Sequence, residues 1–151
     1  MLASVSATAL VADIDALIQP ALAARAIGYR SAPPPALIFQ ADAALFSQAL
    51  INLLHNAADA ASAAAAPLVT FSCAMGGKGI AFAVTDNGAG IPLERRQEIF
   101  LPFFTTKPDG SGIGLTLARQ IVLAHGGSIA VQDRPEGGTA FLVTLPMATS
   151  R

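Results

Sequence analysis

Four short blocks, in fixed order along a chain of 151 residues, constrain this sequence more than any other feature. They are Asn52-Leu-Leu-His-Asn56, Asp86-Asn-Gly88-Ala-Gly90, Phe103-Phe-Thr-Thr-Lys107 and Gly110-Ser111-Gly112-Ile113-Gly114-Leu115. The first lies in an apolar run of helical spacing, the second ends a run that reads as a strand, and the fourth opens another helical run. A fold that holds them together must place a polar helix flank, a strand end and a glycine-bared helix start around one loop. Each block alone is weak, since Asp-Asn-Gly is strong turn chemistry by itself and two asparagines on a helix are an ordinary solvated face.

The length suits one domain, residues 1–151, with a real core. With 53 % hydrophobic and 13 % charged residues, disorder is excluded as a description of the chain. Mean hydropathy is positive, but much of it comes from alanine in expected helices, and no uninterrupted apolar run reaches the roughly 18 residues of a membrane span. No direct membrane contact and no secretory signal are expected, because Met1–Leu10 has no basic start before a long apolar stretch. A net charge of −1 gives no electrostatic reason for a nucleic-acid partner. The single cysteine, Cys73, excludes an internal disulfide and is expected to pack in a strand as a small hydrophobe. These features agree with a cytoplasmic location.

A first helix is expected from Asp13 and Asp15 to about Ala26, kinked or divided at Pro20. The prolines at 33–35 break the pattern, and a short strand is expected at 36–40. Asp42 can cap a helix over about 43–64, whose core stripe is Phe46, Leu50, Leu53, Leu54, Ala57 and Ala61. Asn52, Asn56 and Asp59 share a second, polar stripe at i, i+4 and i+7. Strands follow at 69–74 and 80–85, joined by a turn at Gly76–Gly79. A third helix is expected at 113–124, ended by Gly126-Gly127, and then strands at 128–132 and 140–145 around the turn Pro135–Gly138. Helices on one face of a mixed sheet is the simplest architecture for this order.

The chemistry of the blocks converges on a nucleotide. An asparagine carbonyl at position 56 suits a magnesium ion that takes oxygen ligands and keeps several waters, with Asn52 one turn earlier holding a metal-bound water or a phosphate. Asp86 at a strand end can accept a hydrogen bond from the adenine amino group. Gly88 and Gly90 would permit positive φ and close approach of a flat ligand, with Ile91 as a wall. The glycines at 110, 112 and 114 bare the amides of a helix start to phosphate oxygens. Neither a Rossmann turn nor a P-loop fits, since no strand directly precedes these glycines and no Gly-Lys-Ser/Thr closes them. The segment 92–109 is too long for a simple connection and reads as a lid, with Thr105, Thr106 and Lys107 reaching phosphates. Arg95 and Arg96 fit a solvated helix face better than a ligand contact.

With those motifs in hand, the chain resembles the catalytic, ATP-binding domain of bacterial sensor histidine kinases, whose wider superfamily includes DNA gyrase, a heat-shock chaperone and the MutL proteins. Asn52–Asp59 matches the N box, Asp86–Gly90 the first glycine box, Phe100–Lys107 the F box and Gly110–Leu115 the second glycine box. Ile121–Gly127 and Gly137–Phe141 are also similar to family sequence. The Phe-Phe-Thr-Thr-Lys form is closest to the nitrogen-regulation type. The resemblance runs from about residue 12 to Pro146. It implies an α/β two-layer sandwich, a mixed sheet covered on one face by three main helices (the Bergerat fold). It implies ATP and Mg²⁺ as cofactors, Asn56 as the magnesium ligand, Asp86 as the adenine acceptor, and Asp59, Ile113 and Thr139 among the ATP-binding residues.

The same resemblance implies a partner. The phosphorylated histidine of this family lies in a helical-hairpin dimerisation domain, and neither His55 nor His125 has its His-Glu or His-Asp context. His125, before a double glycine, is expected to serve at a helix end instead. The dimerisation, phosphoacceptor and sensor domains are therefore expected outside this chain, with a response regulator as an indirect partner and the isolated domain a monomer. The parent kinase can be membrane-anchored. In ATP-hydrolysing relatives a glutamate occupies the place of Asn52, so weak hydrolysis is expected here. Two other readings of the same fold are an anti-sigma-factor serine kinase, disfavoured because that class keeps an acid at position 52, and a degenerate interaction module without nucleotide.

Overall fold

Strands β4 (Leu68–Gly76) and β5 (Gly79–Asp86) form the antiparallel hairpin expected from the glycine turn, with Gly76 opposite Gly79 in the computed structural model. The model describes residues 1–96, 99 and 114–146. On the far side of β5 lies β7 (Thr139–Leu145), and β6 (Ser128–Asp133) pairs with β7, both antiparallel. A short strand β2 (Gly28–Ser31) runs parallel to β4 and makes the sheet mixed, in the order β2-β4-β5-β7-β6. Strands β1 (Ala3–Ser6) and β3 (Ile38–Ala41) form a separate antiparallel pair.

Three helices cover one face of this sheet, as expected: α1 (Ala7–Ala24) beside β2, α2 (Ala43–Ala61) under β4 and β5, and α3 (Gly114–Ala124) beside β6. The reason is the period-two alternation of the strands. Ile80, Phe82 and Val84 of β5 and Phe141, Val143 and Leu145 of β7 all point to the buried face. Against them packs the fully buried stripe Phe46, Leu50, Leu53, Leu54, Ala57 and Ala61 of α2. Phe39 of β3 is also buried and closes the cluster, its ring 5.9 Å from Phe46 and 5.8 Å from Phe82. Cys73 is buried in β4 as expected, and burial pushes its thiol up to about 11, so it is no nucleophile at neutral pH.

The N-terminal region departs from expectation. The first helix starts at Ala7 rather than at Asp13, because Ser6 is its N-cap and accepts a 3.2 Å bond from the Ala9 amide. Val5 and Leu10, at the N′ and N4 positions of a staple pattern, are both buried. The helix runs undivided through Pro20, which is exposed on its outer side and costs it one backbone donor. By length and composition α1 could cross a membrane, but here Leu10, Val11, Ile14, Ile18 and Leu22 are buried in the core. Replacing Ser6 by alanine is expected to destabilise the fold by about 1 kcal/mol, read as a lower denaturant midpoint at unchanged slope.

Helix α2 begins where expected, with Asp42 accepting from the Leu45 amide at 3.1 Å, but ends at Ala61 rather than near residue 64. His125 has the helix-end role expected of it. Its Nδ1 donates to the Ile121 carbonyl at 2.8 Å while Nε2 accepts from the Asp42 amide at 3.0 Å, which ties the end of α3 to the start of α2. His55 is exposed on α2.

Candidate functional site

The alternation that buries Ile80, Phe82 and Val84 continues one step further and carries Asp86 into the same layer, where it is 1 % exposed. Across the sheet, Thr139 begins β7 on the same face and is also buried. A carboxylate among apolar side chains at a strand end is costly, and burial raises the Asp86 pKa above the usual carboxylate range. Backbone amides of Gly88 (2.9 Å to Oδ1) and Thr139, and the nearby charge of Arg134, pull the other way.

The turn after Asp86 is fixed from three sides. Asn87 accepts from the Leu68 amide at 2.9 Å and donates to the Ala66 carbonyl at 2.7 Å, latching the turn to the loop between α2 and β4. Gly88 presses on the end of α2 so closely that a Cβ would lie 2.2 Å from the Ala60 carbonyl oxygen. Gly138, from the β6–β7 turn, approaches the Asp86 carbonyl oxygen to where a Cβ would meet it at 2.0 Å. The expectation that Gly88 adopts positive φ for a ligand is thus corrected: among the two glycines only Gly90 has it, at +85°. The missing side chain of Gly88 serves the contact between turn and helix. Ile91 is partly buried and packs against the core.

On α2, Asn52, Asn56 and Asp59 form the half-buried flank expected from their spacing. Asn52 accepts from Gln48 at 3.0 Å and donates to the Gly114 carbonyl at 3.4 Å, a long bond that nonetheless joins the first block to the start of α3. Asp59 accepts from Arg25 of the α1 C-cap at 2.9 Å, an ion pair in partial solvent that ties α2 to α1. Leu115 packs on the core from the first turn of α3. Thr105, Thr106, Lys107, Gly110, Ser111, Gly112 and Ile113 lie outside the described residues. Arg96, expected on a solvated face, bonds the Asp133 carboxylate at the end of β6. Among the described residues, no group of three or more histidine, cysteine or acidic side chains is placed to hold a metal, so a cation here would rest on carboxamide oxygen and the ligand's own oxygens.

Sequence reasoning missed Arg134, Asn87 and Gly138. For Arg134 and Gly138 the signal was a double glycine with a preceding arginine in what otherwise reads as a plain hairpin turn; Asn87 stood in the second block as turn chemistry with no role of its own.

Residues 41–149 match the model of the histidine kinase-, DNA gyrase B- and HSP90-like ATPase family. The chain is 40 % identical over 116 residues to the C4-dicarboxylate transport sensor protein DctB of Rhizobium meliloti, which covers 77 % of this chain and 18 % of DctB. Among solved structures, the catalytic domain of histidine kinase ThkA superposes with a TM-score of 0.86 at 28 % identity, covering 97 % of this chain and 96 % of that one. Full-length ShkA in complex with AMPPNP superposes with a TM-score of 0.85 at 28 % identity, covering 99 % of this chain and 32 % of ShkA. The chain spans 14 % to 18 % of the length of curated relatives such as DctB. A buried acceptor at a strand end, an asparagine-bearing helix joined to a glycine-led helix start, and these matches agree: the chain belongs to the histidine kinase-, DNA gyrase B- and HSP90-like ATPase family, in its sensor-histidine-kinase branch.

Proposed function

We propose that this chain is a Mg-ATP-binding catalytic domain that passes the γ-phosphoryl group of ATP to a histidine on a separate dimerisation domain in two-component signalling. The observation that carries this reading is Asp86. A carboxylate only 1 % exposed is retained against its burial cost, with its strand end clasped on several sides. Such a group has a purpose if a ligand donor, the adenine amino group, completes its hydrogen bonds.

The residues present fit the cofactor. Asn52 has both ends of its carboxamide engaged, by Gln48 and Gly114, which favours Asn56 as the ligand for Mg²⁺. Bound there with the nucleotide, the ion would neutralise phosphate charge. The chain's own part is binding and orientation: Asp86 selects the base, Thr139 supports Asp86, and Asn52 holds the start of α3. Thr105, Thr106 and Lys107 are proposed to cover the phosphates, with Gly110, Ser111, Gly112 and Ile113 at the helix start. Phosphoryl transfer depends mainly on positioning and charge neutralisation, and the attacking imidazole comes from the partner domain. With Asn52 in place of a general base, water is a poor competitor. The dimerisation domain and, downstream, a response regulator are the partners. In this reading the domain is a cytoplasmic monomer, and the Phe103–Lys107 sequence supports a kinship with the nitrogen-regulation type.

Labelled ATP, Mg²⁺ and an acceptor helical-hairpin domain should give an acid-labile, base-stable product with the wild-type chain. Asn56→Ala should lower transfer by about tenfold or more and shift its magnesium dependence upward. Fast hydrolysis without acceptor, or a product stable to acid, would show a different enzyme.

A further inference from the structure

The carbonyl oxygen of Asp86 sits where the β5–β7 ladder stops, since the last paired residues are Thr85 and Ala140. It is taken instead by Arg134, whose Nη1 donates to it at 2.8 Å across 48 residues of sequence. The arginine is itself held. Its amide donates to the Gly138 carbonyl at 3.3 Å, and its own carbonyl accepts from the Gly137 amide at 3.0 Å, which closes the β6–β7 turn. Its second nitrogen pairs with Glu136 at 3.3 Å, where the acid is 68 % exposed and the arginine 19 %. Gly138 approaches the same carbonyl oxygen from the backbone side. One strand-end peptide is thus gripped by a guanidinium and a glycine of the opposite turn.

We propose that Arg134 is a positioning residue for base recognition: by holding the Asp86 peptide at the end of β5, Arg134 keeps the Asp86 side chain aimed as an acceptor for the adenine amino group. The proposal rests on the reading of Asp86 as that acceptor. Two physical effects combine in it. A charge-assisted hydrogen bond fixes the peptide from which the side chain departs, and the same positive charge acts, after the Gly88 and Thr139 amides, against the burial that raises the Asp86 pKa. Among the described residues Glu136 is the acid paired with Arg134, and its exposure leaves most of its charge to solvent.

The test compares ADP with inosine diphosphate, which carries a carbonyl where ADP has the amino group, by titration calorimetry on the whole chain. Wild type should prefer ADP. Arg134→Ala should weaken ADP by about tenfold and leave inosine diphosphate nearly unchanged, so that the preference collapses. Arg134→Lys, which keeps the charge, should restore part of the preference. Arg134→Gln, which keeps a donor without the charge, should move the acid-side loss of ADP binding to higher pH. Should the alanine variant fail to fold, the lysine and glutamine variants decide by the same ratio and pH curve. An equal loss for both nucleotides would mean a merely structural arginine, and an unchanged ratio with an unmoved pH curve would also overturn the proposal. A wild type with no preference between the two would instead overturn the reading of Asp86 itself.

Discussion

Asp86→Ala is expected to weaken ADP and ATP binding by about two orders of magnitude, and Asp86→Asn by at least about tenfold. The carboxylate is the only side-chain acid in the buried layer of the described residues, and it stands at the one strand end gripped by Asn87, Gly138 and Arg134. Removing it leaves the amides of Gly88 and Thr139 without an acceptor as well as the base without its partner. Calorimetry measures the loss directly, and thermal unfolding separates it from a folding defect.

The same residue makes a prediction about stability and pH. The folded-state pKa of Asp86 lies above its unfolded value, chiefly because of burial. A group of that kind contributes stability below its unfolded pKa, and the contribution is lost as pH rises through the folded value. Ionised Asp86 is therefore a burden at neutral pH. The difference in melting temperature between Asp86→Asn and wild type should become more favourable to the variant as pH is raised from acid to neutral. A difference that stays constant over that window would mean that burial does not strain this carboxylate.

The second large effect is expected at Gly138, with Gly137 as its control. Their φ angles are nearly the same, +101° and +100°, so alanine carries a similar backbone cost at either, about 1–3 kcal/mol. They differ in surroundings. A Cβ at Gly137 meets nothing within 4 Å, whereas at Gly138 it would lie 2.0 Å from the Asp86 carbonyl oxygen and 2.9 Å from the Asn87 Cα. Gly138→Ala must therefore push the strand end and its turn apart, adding roughly a further 1–3 kcal/mol and displacing Arg134 and Asp86 together. Denaturant unfolding should show about twice the destabilisation at Gly138, and only that variant should lose ADP affinity strongly. Equal costs at the two glycines would mean that the close approach is unimportant.

Much of this architecture is written in local patterns. Phe46, Leu50, Leu53 and Leu54 recur at helical spacing because α2 buries that stripe whole, and Asp42 marks its start through a cap made by its own side chain. Ile80, Phe82 and Val84 alternate because β5 has one buried face. Where the signal was tertiary it could not be read. Asp15 looks like a helix-opening acid, but it lies in the third turn of α1 and accepts the Tyr29 hydroxyl at 2.6 Å from β2. Strands β1 and β2 have four residues each, too few for a period, and owe their form to pairing with Ile38–Ala41 and Leu68–Phe71.

The site divides in the same way. The places of Asn52 and Asn56 on a helix flank and of Asp86 at a strand end were legible from the helical spacing around the first two and the strand run before the third. Gly88 was legible as a glycine but not in its purpose, since nothing in the chain before folding says that the Ala60 carbonyl will lie against it. Arg134 was invisible for the same reason. Its partner is a backbone carbonyl 48 residues away, and a backbone acceptor leaves no trace in side-chain spacing.

A purine pocket closed by the Asp86 carboxylate is the feature on which the proposed function depends. The most direct measurement is titration of ADP into the wild-type chain and into Asp86→Asn side by side. Saturable one-site binding below millimolar ligand in the first, strongly weakened in a still folded second, is the expected result. Absence of saturation at millimolar ADP in the wild type, or equal affinity in the two proteins, would contradict it.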